Sequence, residues 1–539
     1  MYASKIGRDH LGLGSVSSDQ ILPTLSPGVN VLTIHPRYHS FYTFLLDEFW
    51  RHDRPRSRDA WVRYYRPREF IFSVGAYLCD QSEHGNMGTV VGGQKTAPQA
   101  AQRLEVYDTT FDYIKSELGG YGLYYRSVIA QLGLVFPGGS GFPYPVDVPT
   151  ERGKEVAAVF RRAVRDTTYY RDYFDHDAIQ VPIDVVREYI RRACLCQLQI
   201  PDAPDRPLLL DIFLHGGTQS EARRATFRMF LDIAAQTQGY AIDQDAFRQL
   251  LYFQSTNHGA TYNPQDAVLD TYRKWRLYQA REYYAFALNA MWLHLCDWGL
   301  THSGDMRPVP LSRFWEHLDT VLDFNDLAAR LSVPPPGLSS RSGFGSLLDW
   351  LQTLIGADQV TFDAACTLAA PIHEHRLYQL AMSNRTAPDV MIAGMVTMLA
   401  LILLRFGRPD VWFRQEWEIS RMGAEGRLSV DGFVKAVRRR LQGGHIAVGE
   451  IVRWLYADYI ILQHQLVATS KLPDNTFRFR REGDRLRFFN LWNSLGFMDS
   501  RFDALSRTVH ELGLCGDLYQ PNHPLTPEGQ HLLTKGDLT

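Results

Sequence analysis

Between Asn263 and Gly299 nearly every position of the chain suits a helix, and the polarity pattern changes halfway along. The first half keeps Arg273, Lys274, Arg276, Arg281 and Glu282 on one side. Tyr284 to Leu295 is apolar nearly all round, the mark of a helix enclosed by others. Asn263 offers an N-cap, Pro264 a first helical residue, Asp266 a first-turn carboxylate and Gly299 a left-handed stop. The spacing predicts a helix over 264–298, about 50 Å long at 1.5 Å per residue. A domain can be assembled around such an axis.

Helical periodicity recurs at 38–51, 70–79, 151–165, 183–198, 218–236 and 244–254. It returns at 347–356, 361–382, 388–406, 429–442 and 447–468, with no solenoid period in the series. Leu208 to Leu214 fits either a strand or a short buried helix. The stretch 332–346, with three successive prolines, predicts a linker. The expected class is therefore mainly α and multidomain, a helical body around a long central helix. The expected boundaries are 1–150, 151–331 (holding the axis helix), 347–470 and a small α+β module at 471–539.

From Lys471 the texture changes. Thr476 to Phe489 alternates apolar residues and arginines about a Glu482-Gly483-Asp484 turn, which is a hairpin pattern. A helix follows over Arg501–Leu512, then Leu512-Gly513-Leu514, a short polar connection, and Leu525-Thr526-Pro527-Glu528-Gly529 opening a last helix. This order resembles the end of a winged-helix domain over about 40 residues. The resemblance implies a two-stranded wing and a surface for nucleic acid or for another protein. Leu132-Gly133-Leu134, followed by Val148-Pro149-Thr150-Glu151-Arg152-Gly153, echoes the same phrase. A second winged-helix-like unit within 121–160 and a coincidence of turn chemistry both remain open.

With 539 residues, 45% of them apolar and 12% aromatic, the chain can bury a large core. A net charge of -2 argues against a wholly basic surface and leaves only local basic faces. Of 57 basic residues eight are lysine, a bias that a GC-rich genome explains as readily as a need for arginine's planar fork. The tail concentrates that fork at Arg478, Arg480, Arg481, Arg485 and Arg487, with Arg501 and Arg507 on the following helix. These seven are the expected nucleic-acid-binding residues, contacting phosphates rather than reading bases. A secondary basic patch combines Arg54, Arg56, Arg58, Arg63, Arg66 and Arg68 with Trp61, Tyr64 and Tyr65. Phosphate contact with base stacking uses those residue types, and so does a solvated helix face. Lys435, Arg438, Arg439 and Arg440 form a further basic cluster.

Six cysteines without framework spacing predict a reduced, cytoplasmic protein, and none has zinc-finger spacing. The first residues lack the apolar core of a signal peptide. Val390 to Leu404 is shorter than the ~20 residues that cross a bilayer, so a buried helix and no membrane partner are expected. The glycine-rich loop 84–96 is not a P-loop, because Gln94 separates Gly93 from Lys95. His294 and Asp297, three apart, could form a general base with its orienter or a satisfied polar pair in a core. His373 and His375 have the wrong spacing for a zinc protease, and Pro36 interrupts His35 and His39. No catalytic residue, metal or cofactor is assigned.

The opening HPRYHSFYTFLLDEFW resembles uncharacterised proteins of prokaryotic defence and mobile-DNA loci. The expected role is a non-enzymatic scaffold or nucleic-acid-binding subunit of a DNA-handling, antiviral protein complex, with other subunits and DNA as partners. The rivals are a metal-dependent nuclease whose active site comes from distant segments, and an adaptor that binds only protein.

Overall fold

The computed structural model describes residues 9–52, 54–79, 90–139, 141, 143–176, 178–200, 202–304, 307–356, 368–407, 418–423, 426–489 and 494–538. The fold is mainly helical, as the periodicity predicts, with 61% helix and 6% strand. It comprises two compact units, each discontinuous in sequence. The first unit is Met1–Pro23 with Asp245–Asp499, and the second is Thr24–Gln244 with Ser500–Thr539. These units divide the chain differently from the four successive segments read from composition. One reason is that 332–346 is not a free linker: its backbone is tied into the first unit by Phe344 N–H to Ile446 O (2.9 Å), Val448 N–H to Ser342 O (2.8 Å) and Gly449 N–H to Ser340 O (2.8 Å). The other is that the tail is shared, its arginine hairpin belonging to the first unit and its last two helices to the second.

The first unit contains the long helix Leu269–His302, entered through a 3-10 turn at Asp266–Val268. Its ends differ from expectation. Asn263 does not cap it, and the helix runs on through Gly299. A Cβ at Gly299 would lie 2.2 Å from a ring carbon of Phe488, so the glycine marks a close approach and not a stop. The polar side of its first half is not uniformly exposed. Arg281 and Glu282 are buried and share Ser17, whose hydroxyl accepts from Arg281 Nη1 (2.6 Å) and donates to Glu282 Oε1 (2.5 Å). Ile392–Phe406 packs along this helix and is buried throughout. With its opening turn it is long and apolar enough to cross a bilayer, yet 89% of that window is buried within the protein.

The arginine hairpin forms as predicted, Phe479–Glu482 against Arg485–Phe488 with Gly483 at φ 65 in the turn. A third strand, Val309–Pro310, pairs with Arg485 and Leu486 and runs directly into the helix Leu311–Val321.

In the second unit Arg37–Arg51 packs on Glu151–Val164, and Arg58–Leu78 packs on Ile183–Ala193. Leu208–Leu214 is resolved as helix, within Arg206–His215. The echoed phrase is one local structure used twice. Thr150 and Thr526 each accept from a glycine N–H (Gly153 and Gly529, both 3.1 Å) and cap the following helix. Each hydroxyl also donates back across the Leu-Gly-Leu step, to Gly133 O (2.8 Å) and Gly513 O (2.7 Å). A Cβ at Gly153 or Gly529 would fall 2.1 or 1.9 Å from the carbonyl oxygen of Leu134 or Leu514, so only glycine fits. The intervening connection forms a two-residue strand pair in the first copy (Val135–Phe136 with Val148–Pro149) and a single bridge, Cys515 to Leu525, in the second. The full C-terminal wing that a winged helix requires is thus not formed among the described residues.

Candidate metal centre

Three elements of the first unit bring metal-ligating side chains together. His294 lies on the long helix, His317 on Leu311–Val321, and Asp389 in the 3-10 turn Pro388–Met391 that opens Ile392–Phe406. His294 Nε2 is 2.9 Å from Asp389 Oδ1 and 3.1 Å from His317 Nε2, and His317 Nε2 is 3.1 Å from Asp389 Oδ1. The ligand atoms form a nearly equilateral triangle. An ion about 2.1 Å from each would see them at roughly right angles, on one face, with further positions open.

The surroundings fit that use. His294 Nδ1 meets the Tyr456 hydroxyl at 2.7 Å, the outer partner that fixes ring orientation and tautomer in metal-bound histidines. Trp298 and Phe314 pack against His317 and wall the site on one side. The His294 side chain is 0% exposed, His317 17% and Asp389 54%, so the open side faces solvent past the carboxylate. Burial holds both imidazoles below their ordinary pKa, and the hydrogen bond from His294 holds the Asp389 carboxyl below its own. The rings are therefore neutral and the carboxylate ionised near neutral pH, which is the protonation state ligands need.

Asp297 is not the partner of His294, contrary to the pairing that sequence spacing offered. It stands one helical turn further on, half-buried. Its carboxyl is pushed up by desolvation and then by the negative charge of Asp389. The partners of His294 lie 23 and 95 positions away in sequence, beyond any local motif. The one available signal was a histidine in the most apolar part of the axis helix.

Other histidines are satisfied structurally. His373 accepts from Arg376 N–H (3.2 Å) as a helix cap, while His375 faces Gln249 (3.3 Å), so the two point apart as their spacing requires. Glu374 between them is buried against Arg405 (2.7 Å). His35 meets Glu511 (2.7 Å) and His39 meets the Pro36 carbonyl (2.8 Å), so these two do not converge. Glu48, His52 and Asp175 also cluster, but Arg161 occupies Glu48 and Arg54 lies 3.7 Å from Asp175, making an ion-pair network.

The arginines are dispersed. In the tail set, Arg478 and Arg501 are buried, and Arg501 Nη1 donates to Ser26 O (3.1 Å). Arg487 pairs with Glu482 (2.6 Å), Arg507 with Asp517 (3.3 Å), and Arg481 Nε donates to Gly483 O (2.9 Å). Arg480 and Arg485 remain exposed, and the register puts both on the outer face of the hairpin with Glu482 and Arg487. The secondary patch is consumed by the fold. Arg56 donates to the carbonyls of Phe49 (2.7 Å), Trp50 (3.0 Å) and His52 (3.0 Å), closing the end of a helix. Arg66 donates to Ile114 O (2.8 Å) and Ser116 O (3.1 Å), Arg58 pairs with Glu117 (3.1 Å), and Arg54 lies over the Tyr64 ring (4.5 Å). Arg68 is buried, with the Tyr64 and Phe174 carbonyls as acceptors. Only Arg63 of that set is left as a freely exposed cation among the described residues, and Trp61, Tyr64 and Tyr65 are core. In the further cluster Lys435 pairs with Asp431 (2.8 Å) and Arg440 stacks on Trp454 (4.2 Å). Residues 84–89 of the glycine-rich loop lie outside the described residues. Its remainder opens the helix Gly93–Ala101, with Lys95 held by Asp112 (3.4 Å).

Comparison with protein-family models, with curated proteins and with solved structures finds no significant match to this chain.

Proposed function

We propose that the chain is a metal-dependent hydrolase acting on phosphodiesters, with His294, His317 and Asp389 as ligands and Asp297 as the proton acceptor. The observation that carries this reading is the triangle of ligand atoms, none more than 3.1 Å from another, open on the side of a half-exposed carboxylate. A divalent ion held by His294, His317 and Asp389 would lower the pKa of bound water to about 7 and polarise a phosphoryl oxygen. Asp297, whose carboxyl is raised by desolvation and by the charge of Asp389, would serve as the acceptor for that proton. The phosphodiester assignment is supported by the hairpin. Its strand Arg485–Phe488 pairs with Val309–Pro310, which leads directly into the helix of His317, and Phe488 seats against Gly299 on the helix of His294. Arg480 and Arg485 thus rise from the same framework that holds the ligands, and a polyanion lying on them could extend to the centre.

A second reading, a nucleic-acid-binding scaffold of a multi-protein complex, is favoured by the twice-used helix–Leu-Gly-Leu–Thr-x-x-Gly structure of the second unit, the part of the resemblance to a winged helix that recurs in the chain.

The test is metal content together with cleavage of single- and double-stranded DNA and of RNA in Mg²⁺, Mn²⁺ or Zn²⁺, for the parent and for His317→Ala and Asp389→Ala. Cleavage that needs metal and disappears in both variants supports the hydrolase. Unchanged metal binding in both variants removes it and leaves the scaffold.

A further inference from the structure

A second ligand set stands in the other unit, formed by the ends of two packed helices. Gly75 on Arg58–Leu78 faces Ile190 on Ile183–Ala193, so closely that a Cβ on the glycine would lie 3.2 Å from three side-chain carbons of the isoleucine. One turn beyond each contact the helices end, at Cys79 and Cys194. The backbone then turns into the 3-10 segment Leu195–Gln199, which returns Cys196 to the same place. Buried Arg37 holds this turn. Its Nη2 donates to Arg192 O (3.1 Å), its Nη1 to Cys194 O, and its Nε pairs with Asp205 (2.9 Å). The three sulfur atoms all lie within 4.8 Å of one another, and none is in a disulfide. Cys194 is buried, whereas Cys79 and Cys196 are partly exposed, so the cluster can be reached from solvent.

We propose that Cys79, Cys194 and Cys196 form a three-thiolate site for a thiophilic d¹⁰ ion, Zn²⁺ or Cu⁺. Thiolate is the soft donor that selects such ions over Mg²⁺, Ca²⁺ or Mn²⁺. Zinc with bonds of about 2.3 Å to sulfur needs its sulfurs roughly 3.8 Å apart, inside the 4.8 Å that bounds the separations of this cluster. The partly exposed side leaves room for water as a fourth ligand to zinc, and three sulfurs alone suit Cu⁺. The bound ion clips together two helix ends far apart in sequence, and so differs in donor type and in place from the histidine–aspartate centre.

The test uses the full chain, reduced and stripped of metal, titrated with Cd²⁺ and Co²⁺ as spectroscopic probes and then with Zn²⁺ and Cu⁺ in competition. Thiolate-to-metal charge-transfer absorption saturating at one equivalent is expected. It should disappear in Cys79→Ser and in Cys196→Ser, and persist in Asp389→Ala. The two serine variants replace partly exposed sulfurs, and circular dichroism confirms that they fold. Absence of the charge-transfer band in the reduced parent, or its survival in both folded serine variants, overturns the site. Displacement of cadmium by Zn²⁺ or by Cu⁺ identifies the ion. Because Asp389 takes no part, failure here leaves the hydrolytic centre standing, and the converse holds.

Discussion

The Nε2 atoms of His294 and His317 face each other at 3.1 Å, with Asp389 Oδ1 against both. Two imidazoles so placed repel if both are protonated, and they share one carboxylate oxygen. A divalent cation between them replaces that crowding by coordination. Binding of one equivalent of Mn²⁺, which the three-thiolate site disfavours, should therefore raise the unfolding temperature of the parent. The increment should vanish in His317→Ala, as read by calorimetry at matched metal concentration.

Tyr456 supplies the outer contact to His294. Tyr456→Phe removes a hydroxyl 2.7 Å from Nδ1 without changing ring volume. Loss of such a partner weakens metal affinity by roughly 10–100-fold. Chelator competition measures it; an unchanged affinity would mean that the ring is oriented by packing alone.

Gly299→Ala separates two opposing effects. Helix propensity alone makes alanine better by about 1 kcal/mol. Overpacking against the Phe488 ring, 2.2 Å from the new methyl carbon, costs about 1–3 kcal/mol. The clash should win, giving net destabilisation in urea unfolding, and Phe488→Leu in the same chain should recover part of the loss.

Acid should destabilise both units through buried neutral histidines. His464 Nε2 accepts from Arg478 N–H (3.0 Å) and its Nδ1 faces His10 O (3.1 Å). Burial lowers its pKa to about 4, and does the same for His39. The unfolded chain binds these protons near pH 6.5 and the folded chain only near 4, so stability present above 6.5 is lost as pH falls through that window. Each site contributes on the order of 3 kcal/mol at most. His464→Gln should flatten the pH dependence of unfolding between 6.5 and 4; an unaltered slope would place the titration elsewhere.

Arg480→Ala with Arg485→Ala should weaken nucleic-acid binding and reduce the slope of log affinity against log salt by about 2. A control pair, Arg56→Ala and Arg66→Ala, should instead lower stability, because those guanidinium groups satisfy backbone carbonyls.

Much of the architecture was legible in the residues. The axis helix, the arginine hairpin, the buried apolar helix and the Thr-capped helices all follow from local patterns, because periodicity and caps act over a few residues. What was not legible depends on distant neighbours. Arg281 and Glu282 read as one polar side of a helix until Ser17 is seen between them. Gly299 reads as a stop until Phe488 occupies its missing side chain. The arginines of 51–68 read as a cationic face, since a sequence displays charge but not the carbonyls and carboxylates that absorb it. His294 offered only Asp297 as a partner within one helix, whereas its ligand companions come from two other elements.

The interleaved ownership of the chain has a consequence for biosynthesis. A ribosome delivers Thr24–Gln244 early, but the helices Phe502–Glu511 and Pro527–Lys535 that complete that unit emerge only after all of Asp245–Asp499 has been translated. Its apolar surfaces wait uncovered for that interval, so nascent chains stalled before Ser500 should be preferred clients of chaperones and sensitive to protease.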